Sequence, residues 1–170
     1  GVVTPVKGMY GTAIILVKSG AVQSLIRIKI KPSETVDPKS VASPMVSAGS
    51  AHTIALRYDG TVWTWGYNGY GQLGQGNTTT VYSPVQVKSA DGSSYLTDII
   101  EIAAGAYHNL ALAKDGTVWS WGYGPHGELG NGKTSNSSLP VKVIGVSDVV
   151  SIAAGYYNSF AVRKDGNVRV

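Results

Sequence analysis

Short apolar runs separated by glycine-rich polar stretches recur along the chain. Ala13 to Val17 is a continuous, mostly β-branched run, and Ile26, Ile28 and Ile30 alternate with Arg27, Lys29 and Lys31. Alternation at a period of two predicts a strand with one solvated face, and the lysines on it discourage pairing between exposed edges. Further along, Thr53 to Leu56 is apolar enough for a buried strand, Asp59-Gly60 supplies a tight turn, and Val62 to Trp65 forms the returning strand of a hairpin. Trp63 and Trp65 share one face of that strand and Val62 the other, so the pattern predicts a sheet buried on both faces, with both indoles sandwiched between neighbouring sheets. Gly66, Gly71, Gly74 and Gly76 punctuate the next connection, which Leu73 anchors as its single apolar residue. Ser83 to Val87 reads as a short strand with Pro84 at its start or on an edge, because proline cannot donate to the ladder. Ile99 to Ala104 is expected to close the unit as its last strand, giving about four strands per unit. The chain is all-β by this reading.

The same pattern returns. Ser47-Ala48-Gly49-Ser50-Ala51-His52 reappears as Ala103-Ala104-Gly105-Ala106-Tyr107-His108, and Asp59-Gly60-Thr61-Val62-Trp63-Thr64-Trp65-Gly66 as Asp115-Gly116-Thr117-Val118-Trp119-Ser120-Trp121-Gly122, at a constant offset of 56. A third copy opens at Ile152-Ala153-Ala154-Gly155 and runs to Asp165-Gly166-Asn167-Val168, at an offset of 50 from the second. The length difference falls in the polar connection between Val87 and Asp98, where a loop absorbs it cheaply.

Composition narrows the chemistry. The absence of cysteine excludes disulfides and thiolate sites, and no stretch approaches the roughly 18 consecutive apolar residues of a membrane-spanning helix. The net charge of +4 belongs entirely to residues 1–44, where six basic groups face Glu34 and Asp37, and the charges of the remaining segment cancel. No concentrated basic face is left for nucleic acid. Three histidines in separate units make no zinc site, and His126 reads as an exposed loop residue. Asp59, Asp115 and Asp165 are accounted for by their turns, so neither a catalytic constellation nor a cofactor site is expected. Residues that vary between copies are the candidate contacts, above all Tyr58, Tyr70, Tyr82, Tyr95, Tyr107 and Tyr156, since tyrosine in loops binds at low entropic cost.

The compound motif over residues 45–170 resembles the regulator-of-chromosome-condensation-type repeat: Ala-Gly, two variable residues, His, a short apolar strand, Asp-Gly, then Trp-x-Trp-Gly. The residues that carry it are Gly49, His52, Asp59, Gly60, Trp63, Trp65 and Gly66, then Gly105, His108, Asp115, Gly116, Trp119, Trp121 and Gly122, then Gly155, Asp165 and Gly166. The third copy departs from it at Asn158 and Arg169. The resemblance implies a β-propeller of four-stranded blades, of which this chain holds about two and a half, to be completed by other chains or by further sequence. His52 and His108 are expected to be structural, satisfying buried backbone groups. Residues 1–32 resemble the closing strands of a bacterial immunoglobulin-like domain, with a degenerate blade as the rival reading, and 33–44 reads as a linker.

These expectations imply a noncatalytic protein–protein interaction or structural display module of a larger bacterial surface protein, extracellular in location. A carbohydrate-binding propeller is the alternative. Guanine-nucleotide exchange ranks last, because nothing matches the wedge that the family's founding member inserts into its partner.

Overall fold

A computed structural model describes residues 12–19, 22–29 and 42–170, and the chain divides into two compact units, Gly1–Lys39 and Ser40–Val170. In the first unit β1 (Thr12–Ser19) pairs antiparallel with β2 (Val22–Lys29), Thr12 opposite Lys29 and Ser19 opposite Val22. The apolar run lies in β1 and the first alternating residues in β2. The outer parts of the segment expected at 1–32, Ile30 to Pro32 among them, and the linker as far as Val41 lie outside the described residues.

The second unit is built from sheets in sequence order. β3 (Met45–Ala48), β4 (His52–Leu56), β5 (Val62–Gly66) and β6 (Val81–Gln86) form one antiparallel four-stranded sheet. β7 (Ile99–Ala104), β8 (His108–Ala113), β9 (Val118–Gly122) and β10 (Ser137–Lys142) form the second. β11 (Val149–Ala154), β12 (Ser159–Arg163) and β13 (Val168–Arg169) form a three-stranded third. This is a partial propeller, all-β, with no helix among the described residues.

The grouping corrects one expectation. Ile99 to Ala104 opens the second sheet and does not close the first: β7 pairs with β8, Ile102 opposite Ala111, while Val87 to Asp98 carries the chain from the outer edge of one sheet to the inner edge of the next. Inner strands lie side by side, and Ala104 N donates to Ser47 Oγ at 3.0 Å. Pro84 sits in β6, an outer strand bonded to β5 alone, where its missing N–H leaves no gap in the ladder.

Period-two alternation sorts the core into two layers. Ile54, Leu56, Val62 and Val87 of the first sheet meet Ile102, Ala111, Ala113 and Trp121 of the second. On the other side of the second sheet, Leu110, Leu112 and Val118 meet Val149, Ile152 and Ala161. Trp65 and Trp121 are buried, Trp121 completely. Trp63 and Trp119 are only half-buried, which corrects the expectation that both indoles of each pair are sandwiched. They stand nearer the hairpin turn, and Trp63 spends its N–H locally, donating to Thr61 Oγ1 at 3.1 Å while the Arg57 guanidinium covers the ring at 5.8 Å.

Candidate functional site

The repeat glycine and histidine form one device. A Cβ on Gly49 or Gly105 would fall inside the ring of His52 or His108 three residues on. Any larger residue would therefore expel the ring, and this contact explains the Ala-Gly-x-x-His spacing. In the third copy the same Cβ would stand 3.8 Å from Asn158, an ordinary contact, so the smaller side chain relaxes the constraint.

Both rings bond to the next sheet. His52 Nε2 lies 2.9 Å from Asn109 Oδ1, and Asn109 Nδ2 donates at 2.9 Å to the carbonyl of Gln72, back in the first repeat. Trp121 Nε1 donates to that same carbonyl at 2.8 Å. His108 Nε2 lies 3.0 Å from Ser159 Oγ, which donates at 2.6 Å to the Glu128 carbonyl. Since the Asn109 amide nitrogen and the Ser159 hydroxyl proton are committed to carbonyls, each must accept from the histidine, which places the imidazole proton on Nε2. The expected backbone partner is thus corrected to a side chain of the neighbouring blade, which itself reaches the backbone. Burial pushes His52 below the usual histidine range, the Asn109 bond partly opposing; burial drives His108 down to about 4, with the Glu128 charge opposing. Both are neutral near pH 7 and act as structural stitches.

Above these stitches, at the end where β4, β8 and β12 begin, tyrosines collect. Tyr67 follows β5 and Tyr123 follows β9; Tyr107 precedes β8, and Tyr156 and Tyr157 precede β12. Tyr70 lies between them, its backbone N held by Gln72 Oε1 at 2.9 Å. Its ring centroid is 5.9 Å from Tyr67, 5.4 Å from Tyr107 and 5.0 Å from Tyr123, all edge to face. Tyr107 continues to Tyr156 at 6.3 Å, and Tyr156 to Tyr157 at 4.5 Å. One ring surface thereby crosses all three sheets. The segments that bear it, 67–71, 105–107, 123–127 and 155–157, contain no Asp, Glu, Lys or Arg.

Of the six tyrosines singled out from sequence, the structure brings Tyr70, Tyr107 and Tyr156 together and leaves Tyr58, Tyr82 and Tyr95 elsewhere. Tyr58 sits in a hairpin turn beside Arg57, Tyr82 stands 74% exposed on β6, and Tyr95 belongs to the connection between the first two sheets. Sequence reasoning missed Tyr67 and Tyr123 because they match at the offset of 56 and passed as blade geometry; their position directly after Trp-Gly was the available signal. It also missed what His126 does. His126 Nδ1 lies 3.0 Å from Glu128 Oε1 and His126 N donates to Glu128 Oε2 at 2.9 Å, so an exposed imidazole covers a carboxylate that solvent does not reach.

The opposite end has another chemistry. Asp59, Asp115 and Asp165 each accept the backbone N–H two residues on, as the turn motif requires. Near Asp115, a cavity of about 660 Å³ is lined by Tyr95 and Trp119 together with Asp91, Asp98 and Lys114. Among the described residues no group of three His, Asp or Glu side chains is placed to hold a metal ion.

Comparison with known proteins agrees with the repeat. The profile described as regulator of chromosome condensation (RCC1) repeat matches residues 59–112 and 115–162. The chain is similar to the mitochondrial RCC1 domain-containing protein RUG3 of Arabidopsis thaliana, 40% identical over 98 residues covering 58% of this chain and 21% of that protein. It is also similar to the Arabidopsis thaliana ultraviolet-B receptor UVR8, 37% identical over 95 residues, 56% of this chain and 21% of the receptor. The chain therefore spans about a fifth of the length of these relatives. Among solved structures, yeast RCC1 (Prp20) in its complex with Kap60 superposes with a TM-score of 0.62 at 24% identity, covering 84% of this chain and 31% of that one. Human WBSCR16 superposes with a TM-score of 0.63 at 21% identity, covering 84% and 34%. At these identities the two superpositions establish the fold.

Proposed function

The chain belongs to the regulator of chromosome condensation (RCC1) repeat family, and from that premise we propose that it is a noncatalytic protein–protein interaction module of a larger protein, docking its partner on the tyrosine-lined end. The continuous ring surface on charge-free segments carries this reading. Interface cores are enriched in tyrosine and depleted of charge. Rings already packed on one another also lose little freedom when a partner arrives. The crystal structure of yeast RCC1 bound to Kap60 supports the reading as an instance of this fold holding a protein. Crosslinked partners of the wild-type chain should be lost when Tyr70→Ala and Tyr107→Ala are combined and kept in Tyr82→Ala. Partners that survive the double substitution would sink the reading.

Two extensions rest on separate features. Further repeats complete the propeller: Trp65 Nε1 is buried without a partner among the described residues, whereas the equivalent Trp121 Nε1 donates to a carbonyl of the preceding blade. Residues 1–32, through their likeness to an immunoglobulin-like domain, support a spacer of a bacterial surface protein; protease access on intact cells checks that placement. Glycan binding is the second reading, favoured by the cavity that Tyr95 and Trp119 line with carboxylates. Glycan-array signal abolished by Tyr95→Ala would establish it, and an array silent at saturating protein would remove it.

A further inference from the structure

Within the ring surface, Tyr123, His126 and Tyr157 stand apart. Their centroids form a near-equilateral triangle, 5.7 Å from Tyr123 to His126, 5.8 Å from Tyr123 to Tyr157 and 5.5 Å from His126 to Tyr157. Elsewhere the rings meet edge to face; here the planes are tilted, by 48°, 38° and 57°. A cation seated over the triangle lies within roughly 6 Å of every centroid, the reach over which a ring face attracts it.

A charge lies beneath. The Glu128 side chain is fully buried and its hydrogen-bond partner His126 is 60% exposed. The matched position in the first repeat is Gln72, which makes the same bond to the backbone N two residues earlier without any charge. The fold therefore does not need a carboxylate at this place. Burying one is costly unless it is compensated. Among the described residues no lysine or arginine pairs with it. Because a carboxylate only accepts, His126 Nδ1 carries the proton of their bond, and Nε2 on the far side of the ring offers a lone pair strengthened by the carboxylate behind it.

We propose that Tyr123, His126 and Tyr157, backed by Glu128, form a subsite for an arginine side chain of the docked partner. The proposal rests on the docking role of the tyrosine-lined end and names the chemistry of one anchor in it. A guanidinium stacks its plane on the tyrosine faces, donates an N–H to His126 Nε2 and answers the buried negative charge.

The test is an NMR titration of the full chain with arginine amide against citrulline amide, which keeps the shape and removes the charge. Arginine amide should shift the resonances of Tyr123, His126 and Tyr157, with citrulline amide about tenfold weaker. Glu128→Gln, the residue the first repeat already accommodates, should weaken arginine amide by a similar factor while leaving the unfolding midpoint in place. No shift with arginine amide, equal shifts with citrulline amide, or unchanged binding in Glu128→Gln would each overturn the subsite. If any of these occurs while the Tyr70→Ala and Tyr107→Ala pair still abolishes partner capture, the subsite fails and the docking surface stands. If capture also survives that pair, the reading beneath it fails as well.

Discussion

At the end where β4, β8 and β12 begin, loops of three repeats interlock through Tyr70, Tyr107, Tyr123 and Tyr156 and carry no formal charge on their ring-bearing segments. At the other end Arg57, Asp59, Lys114, Asp115, Arg163 and Asp165 stand in hairpin turns whose carboxylates bond two residues along their own backbone. The rings of the first end touch across repeats, whereas the turn carboxylates of the second bond within their own repeat. Substitutions at the first should therefore propagate to a neighbouring blade, whereas those at the second should stay local.

The sharpest division comes from alanine at equivalent glycines. Gly105→Ala drives a methyl into the His108 ring and toward the Gly155 carbonyl, and should lower the unfolding free energy by about 4 kcal/mol. Gly155→Ala meets nothing closer than 3.8 Å and should change it by less than about 0.5 kcal/mol. Equal costs in urea denaturation would break the account of the glycine–histidine device.

Acid should act next, and at the stitched end. The folded His108 pKa of about 4 lies below its ordinary 6.5, so the unfolded chain binds the extra proton first. Stability is full above pH 6.5 and declines as pH falls toward 4, by on the order of 3 kcal/mol, with His52 acting in the same direction. Denaturation midpoints measured across that window should fall steeply in the wild type and much less in His108→Asn, which installs the third repeat's residue.

Smaller effects separate the surface residues. Tyr70→Ala removes three edge-to-face contacts and should cost about 2 kcal/mol, while Tyr82→Ala, 74% exposed, should fall within about 0.5 kcal/mol of wild type in the same assay. Asp115→Ala, at the charged end, gives up one local bond to Thr117 N and should cost less than about 1 kcal/mol. A loss at Asp115 larger than at Tyr70 would invert the comparison.

Much of this architecture is readable from residues because local chemistry dictates it. Asp59-Gly60 supplies a tight turn, Pro84 is confined to the start of a strand or to an edge, and the opposition of Val62 to Trp63 and Trp65 predicts two buried faces. Assigning Ile99 to Ala104 to a sheet is different. Apolar strands on either side of the Val87 to Asp98 connection look alike, and only the hydrogen-bond partner decides which sheet takes the strand. The site was half legible for a related reason. Variation between copies points to Tyr58, Tyr70, Tyr82, Tyr95, Tyr107 and Tyr156, of which three join the ring surface, whereas Tyr67 and Tyr123 are identical at the offset and give no such signal. The His126–Glu128 pair was hidden because its meaning lies in burial, which a glycine-rich loop sequence does not display.

The carbonyl that each histidine reaches through its neighbour sets a rule for joining one repeat to the next. The intermediary must offer a lone pair and a hydrogen at once, and Asn109 and Ser159 satisfy this with different functional groups. Thr53 holds the same register in the first repeat, buried at 8% exposure. A repeat placed at a new position therefore needs, besides the apolar faces that pack sheet on sheet, one polar residue at this register that accepts and donates together.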